Sequence, residues 1–209
     1  MKQIKQLAAF FLPLAIGGML ACNSGTNRTT TDDTSTVGNQ DITAVDTGMT
    51  KGMAQDVNKD KFSDDSLRDD ASFVTKAAED GMYEVKLTTD AQAKTANAGV
   101  KKLAAHMQKA HEKANKELAG LAATKSITVP TVLPQGKTDD INRLLEKSGN
   151  DFDKAFVEEL ADKHEKAIRL FEDASKDAKD PELKAWFAKT LPELRNHLEM
   201  VKKEQIKLK

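Results

Sequence analysis

From about residue 65 to the end of the chain, apolar residues recur in alternating steps of three and four, the period of a helix with one buried face. Phe73, Ala77, Gly81, Glu84, Thr88 and Ala91 form one such stripe, in a helix predicted over 65–96. Val100, Ala104, Met107, His111, Ala114, Leu118 and Leu121 form a second, over 98–124. Val157, Leu160, His164, Ala167, Phe171 and Ala174 repeat the rhythm over 150–178. Asp180 and Pro181 then supply an N-cap followed by proline at the first helical position. The fourth helix they open runs to the carboxyl end, with Leu183, Phe187, Leu194, His197 and Val201 facing inward. Pro192 removes one of its hydrogen bonds and predicts a kink five residues before His197.

Connection lengths decide how these helices are wired. Short turns near 97–99 and 179–180 make helices one and two an antiparallel hairpin, and helices three and four another. Between the hairpins, 125–149 holds Pro130, Pro134 and a short helical stretch over 138–147. That length would cross a helix of ~40 Å, which makes helices two and three parallel. The expected fold is all-α: a ferritin-like four-helix bundle with a long crossover between helices two and three. An up-down bundle with a decorated middle loop is the alternative.

The amino terminus adds a compartment. Lys2 and Lys5 precede an apolar stretch over 7–20, broken by Pro13, Gly17 and Gly18, and Ala21 precedes Cys22. This is similar to a bacterial lipoprotein signal, which makes 1–21 a signal peptide and Cys22 the lipidated first residue of the mature protein. Cys22 is the sole cysteine, so no disulfide or thiolate nucleophile is left. An ordinary cleaved signal is the alternative. The stretch is too short and interrupted to span ~30 Å of hydrocarbon. From 22 to 62 the chain is rich in Thr, Asp, Gly and Asn, with little to bury, and is expected to be a disordered tether. The bundle is then 63–209. By analogy with enteric sorting, Asn23 after the cysteine places the protein at the outer membrane, facing the periplasm.

Charge excludes one class of partner. Loss of 1–21 removes Lys2 and Lys5 and no acid, so 32 basic residues become 30 against 33 acidic ones. Without a basic run or stacking aromatics (one Trp, one Tyr), nucleic acid is not expected. The membrane, through the anchor at Cys22, is the one partner the sequence names.

Candidate chemistry lies on the inward stripes. Glu84, His111, His164 and His197 fall one to each long helix, at heights compatible with a single layer. Buried polar groups must satisfy one another, a water or a metal. Three imidazoles and a carboxylate suit Zn, Fe, Mn or Cu. Singly, each histidine reads as a core residue with a hydrogen-bond partner, and Glu84 could pair instead with Lys86 or Lys94. His106 is off the seam and reads as exposed. The Met residues at 82, 107 and 200 read as packing.

The run 72–85, the segment 100–118, Phe152-Asp153, the run 162–167 and the run 191–198 together resemble the bacterial domain of unknown function 4142 family. The resemblance covers nearly all of 66–203 and implies a ferritin-like bundle in exported or lipid-anchored proteins, with no established reaction. The family commonly has an Asp-His pair in its second helix; here Ala110 precedes His111.

A di-iron site is not expected. It takes Glu-x-x-His on two helices, and Gln108, Ala161 and Leu194 stand three before the histidines. Glu112 and Glu165 follow their histidines and point ~100° away. Nucleophile-elbow, phosphate-loop, dinucleotide and His-Glu-x-x-His motifs are absent. The reading is a membrane-anchored envelope protein binding a single transition-metal ion at Glu84, His111, His164 and His197, without catalysis. A metal-dependent oxidase or detoxification enzyme, a metal-free envelope-stress scaffold, and a bis-histidine haem protein are the competing readings.

Overall fold

The structure is a computed structural model, and it describes residues 48–209. The expected signal peptide, Cys22 and most of the expected tether lie outside the described residues. Six helices follow in order: α1 Lys51–Lys61, α2 Asp65–Lys94, α3 Ala98–Thr124, α4 Gln135–Leu145, α5 Gly149–Asp177 and α6 Pro181–Lys207. The all-α expectation holds, with no strand among the described residues. Among them, no helix is long and apolar enough to cross a membrane.

Local chemistry sets the helix starts. Asp64 accepts from Ser66 N, Asn97 from Gly99 N and Val100 N, and Asp180 from Glu182 N and Leu183 N. Each cap satisfies amides that a helix start leaves unpaired, a contribution of about 1 kcal/mol each. α6 continues through Pro192. Proline there has no N–H to give the Ala188 carbonyl.

The four long helices pack as neighbours: α2 with α3, α5 with α6, α2 with α5 and α3 with α6. Pairs across α2 and α5 run in opposite senses. Tyr83 donates to Glu159 at 2.7 Å, whereas Thr95, the C-cap of α2, donates to Asp153, earlier in α5, at 2.5 Å. Across α3 and α6, Glu117 meets Lys189 and His111 meets His197. Neighbours are thus antiparallel, so α3 and α5 run the same way. The 125–148 connection starts beside Asp180, where Lys125 pairs with it at 2.7 Å, and ends beside the carboxyl end of α2. It therefore travels the bundle's length, laying α4 against α2 and α5.

One boundary needs correction. The expected tether ran to residue 62, yet α1 occupies Lys51–Lys61 and the folded region begins before residue 63. The apolar pattern missed it because α1 is held largely by polar contacts. Buried Asn58 donates to the Thr128 carbonyl and accepts from its amide, both at 2.8 Å, and Lys51 pairs with buried Glu79 at 2.6 Å. Ala54 is its one buried apolar residue. α4 likewise starts earlier than expected, at Gln135 directly after Pro134.

Candidate metal centre

The apolar core divides in two. One cluster gathers Val74, Leu118, Phe171, Trp186 and Phe187 toward the start of α2; the other gathers Leu87, Val100, Met107, Phe156 and Val201 toward its end. Glu84, His111, His164 and His197 lie between the two clusters along their helices, all buried, with His164 fully so. The four residues singled out from the sequence therefore converge at one level. Lys86 pairs with Asp90 on its own helix, leaving Glu84 to the histidines.

His164 Nδ1 lies 2.9 Å from the Leu160 carbonyl. As an N–H donor there it leaves the lone pair on Nε2, the atom facing His197 Nδ1 at 3.4 Å. His111 Nε2 approaches Glu84 Oε2 to 3.0 Å, and His164 Nδ1 reaches the same oxygen at 3.5 Å. The 3.0 Å approach is close but poorly directed, so neither atom gains an aligned hydrogen bond. The three rings stand with centroids 5.4 to 5.6 Å apart.

One ligand atom from each histidine can be chosen so that all lie within 4.8 Å of one another. Donors at ~2.1 Å from one ion, at the angles that four or five ligands take, lie ~3.0–3.6 Å apart. The widest of these pairs therefore has to close by somewhat more than an ångström, a movement for side-chain rotation and a small helix shift.

Electrostatics divides the layer into unlike parts. Burial alone would raise the Glu84 carboxyl, but His111 and His164 outweigh it and hold it at about 2. Burial opposes a charge on His111, and the Glu84 carboxylate overcomes this and raises its pKa. His197 is lowered to about 3, by burial first and then by His111, His164 and His106. The result is a Glu84–His111 ion pair beside a neutral His197 imidazole. A neutral imidazole and a carboxylate are the forms that ligate metal.

A cavity of about 30 Å³ adjoins the layer, and Glu84, His111 and His197 line it together with Asp80, Asn115 and Trp186. It has no room for a haem, since sites for molecules of even drug size take about 300 Å³ or more. The bis-histidine haem reading falls on that ground. Asp80 and Asn115 escaped the sequence reading, although each stands four residues, one turn, from Glu84 and His111 respectively. Asn115 is admitted by Gly81, where any Cβ would collide with the Asn115 amide oxygen. His106 is exposed, as expected, yet its ring meets His197 edge-on at 5.5 Å.

A family model described as "Domain of unknown function (DUF4142)" matches residues 51–203. No curated protein and no solved structure matches the chain.

Proposed function

The chain belongs to the DUF4142 family, and from that premise and its buried histidine cluster we propose that it is an envelope protein that binds one divalent transition-metal ion. Glu84, His111, His164 and His197 are the ligands in this reading. The carrying observation is that three imidazoles from three helices bring ligand atoms within 4.8 Å of one another beside a buried carboxylate. Leaving several buried polar atoms without partners costs about 1–3 kcal/mol each, and a single ion would relieve the cost at three of them. The ion in turn gains three neutral nitrogen donors and one anionic oxygen, a set suited to Zn, Fe, Mn or Cu. Its chemistry when bound is that of a Lewis acid, or of a redox centre if the metal is Fe, Mn or Cu.

The bundle is of ferritin-like type in this proposal, supported by antiparallel neighbours and by a connection that travels its length. It lacks the Glu-x-x-His pairs of the di-iron proteins with that fold, which favours one ion over two. The protein is exported and anchored through lipid on Cys22, with 23–47 as the tether, on the strength of the signal-like stretch and the composition that follows it. Labelling with radioactive palmitate, lost in Cys22→Ser, tests the anchor.

Elemental analysis of the purified full-length protein, with and without His111→Ala and His164→Ala, tests the metal. The expected result is about one equivalent of metal in the native protein and none in the double variant, after matched loading. Equal metal content in both would overturn the assignment and leave a metal-free scaffold.

A further inference from the structure

Four buried side-chain atoms lack a directed hydrogen-bond partner among the described residues: Glu84 Oε2, His111 Nε2, His197 Nε2 and Trp186 Nε1. All four of these residues line the same cavity. A metal ion accounts for the first three, because carboxylate oxygen and imidazole nitrogen carry lone pairs. It cannot account for the fourth. The indole Nε1–H is a donor only and never a metal ligand, so it calls for an acceptor that the protein does not provide.

We propose that the cavity is a ligand site in which a small anion, of about two or three heavy atoms, occupies an open position on the metal and accepts a hydrogen bond from Trp186 Nε1–H. This rests on the metal reading above and adds to it an exchangeable ligand. The cavity's size sets the class: about 30 Å³ admits a water or a small triatomic species and excludes organic substrates. A divalent ion with one ligating carboxylate and three neutral imidazoles keeps a formal charge of about plus one, which attracts a monoanion and which the Asp80 and Glu193 carboxyls of the lining partly oppose. The rest of the lining is mostly apolar, with Ala77, Ala114, Leu118 and Phe171 among it. Apolar surroundings strengthen both the ion's attraction and the indole hydrogen bond. Trp186 is 8% exposed and packed between Phe171 and Phe187, at centroid distances of 5.5 and 5.2 Å, so its ring is held in place.

Trp186 is the only tryptophan in the chain, so the protein has one indole N–H signal in a ¹⁵N-correlated spectrum. The experiment titrates azide into the zinc-loaded full-length protein and into the metal-free protein. The expected result is a saturable downfield shift of that signal in the loaded protein and none in the metal-free one. In the copper-loaded protein, Trp186→Phe should weaken azide about fivefold, read from the azide-to-copper charge-transfer band, while zinc affinity stays within about twofold. A stationary indole signal in zinc-loaded protein overturns the proposal, as does a shift of the same size without zinc. Unchanged azide affinity in Trp186→Phe removes the role of the indole. If zinc does not bind at all, it is the metal reading that has failed, and the loading measurement shows this before azide is added.

Discussion

Nε2 of His164 and Nδ1 of His197 stand 3.4 Å apart across the contact between α5 and α6. Closing this hairpin therefore brings two of the proposed ligand rings into contact before any metal arrives. Zinc at a hundred times its dissociation constant should stabilise the folded chain by about 2.7 kcal/mol, seen as a higher midpoint of urea unfolding. His164→Ala and His197→Ala should each lose most of that rise. A full zinc-dependent rise in either variant would show that the ion binds elsewhere.

Glu84 and His111 should respond unequally to removal of the partner, because their charged forms are not equally easy to discharge. With Glu84→Leu, His111 can release its proton near neutral pH, so the cost at pH 7 is about 1–2 kcal/mol. With His111→Leu, Glu84 is left buried without its nearest positive partner, and the cost is about 3 kcal/mol or more. The double substitution should recover to near the metal-free native stability, since a buried pair replaced by apolar groups is often neutral. Chemical denaturation of all four proteins in chelator completes the cycle. Additive losses in the double variant would mean that the two groups are not coupled.

The long helices were legible in the sequence because each carries a sustained apolar stripe; the expected and observed limits of the second helix, Ala98–Thr124, coincide. The convergence of Glu84 and the histidines was legible for the same reason, since the period that buries Leu160 and Val201 also turns His164 and His197 inward. What the pattern does not carry is structure built from polar contacts. α1 buries Asn58 through a pair of hydrogen bonds to one distant backbone residue, and no periodicity in 51–61 announces it. Asn115 faces the cavity only because Gly81 on the facing helix gives it space, and such a match between two helices cannot be read from either alone. Trp186 carries no signal of this kind in the sequence, because the missing partner of its N–H is visible only once the surrounding side chains are placed.

Asp70 joins the start of α2 to the turn between α5 and α6. Its carboxylate, 1% exposed, accepts from Lys179 N at 2.8 Å and from Asp180 N at 2.7 Å. Hydrogen bonds to a charged group contribute about 1.5–3 kcal/mol. Asp70→Ala would leave both amides without their acceptor and should cost about 3 kcal/mol, with Asp70→Asn intermediate. Hydrogen exchange provides the specific check: the amides of Lys179 and Asp180 should lose protection in Asp70→Ala before the centre of α5 does. Equal loss throughout would mean that Asp70 acts on global stability alone.

Ser126 ends α3 with φ of 58°, in the left-handed region that costs a side-chain-bearing residue about 1 kcal/mol. Its amide bonds the Ala123 carbonyl while Ile127 N bonds that of Ala122, so the conformation closes the helix end and is not incidental. Its side chain is exposed. Ser126→Gly should therefore stabilise the protein, by about 0.5 kcal/mol once glycine's greater freedom in the unfolded chain is subtracted. Ser126→Val should destabilise it by more than that. A loss of stability on Ser126→Gly would show that the serine hydroxyl does something beyond tolerating this backbone.

Asp180 gives a pH dependence whose sign can be worked out. Burial is the largest single influence on its carboxyl and raises it, but Lys125 at 2.7 Å and the amides of Leu183 and Glu182 together outweigh it, so its folded pKa is lowered. A depressed carboxylate contributes stability above its unfolded value, about 3.9, and that contribution disappears as pH falls through the folded value. Asp180→Asn keeps an oxygen for both cap amides, each 2.9 Å away, and removes the charge together with the acceptor of Lys125. At pH 7 the native protein should exceed this variant by about 0.5–1 kcal/mol, the range for a partly exposed pair. The gap should hold down to about pH 5, begin to narrow near pH 4, and close at lower pH, where Asp180 is protonated. Asp180→Ala should lose the cap as well, adding about 1 kcal/mol that persists at every pH. Urea unfolding of the three proteins between pH 3 and 7 checks all of this, and a native-to-Asn gap that grows on acidification would reverse the sign of the argument.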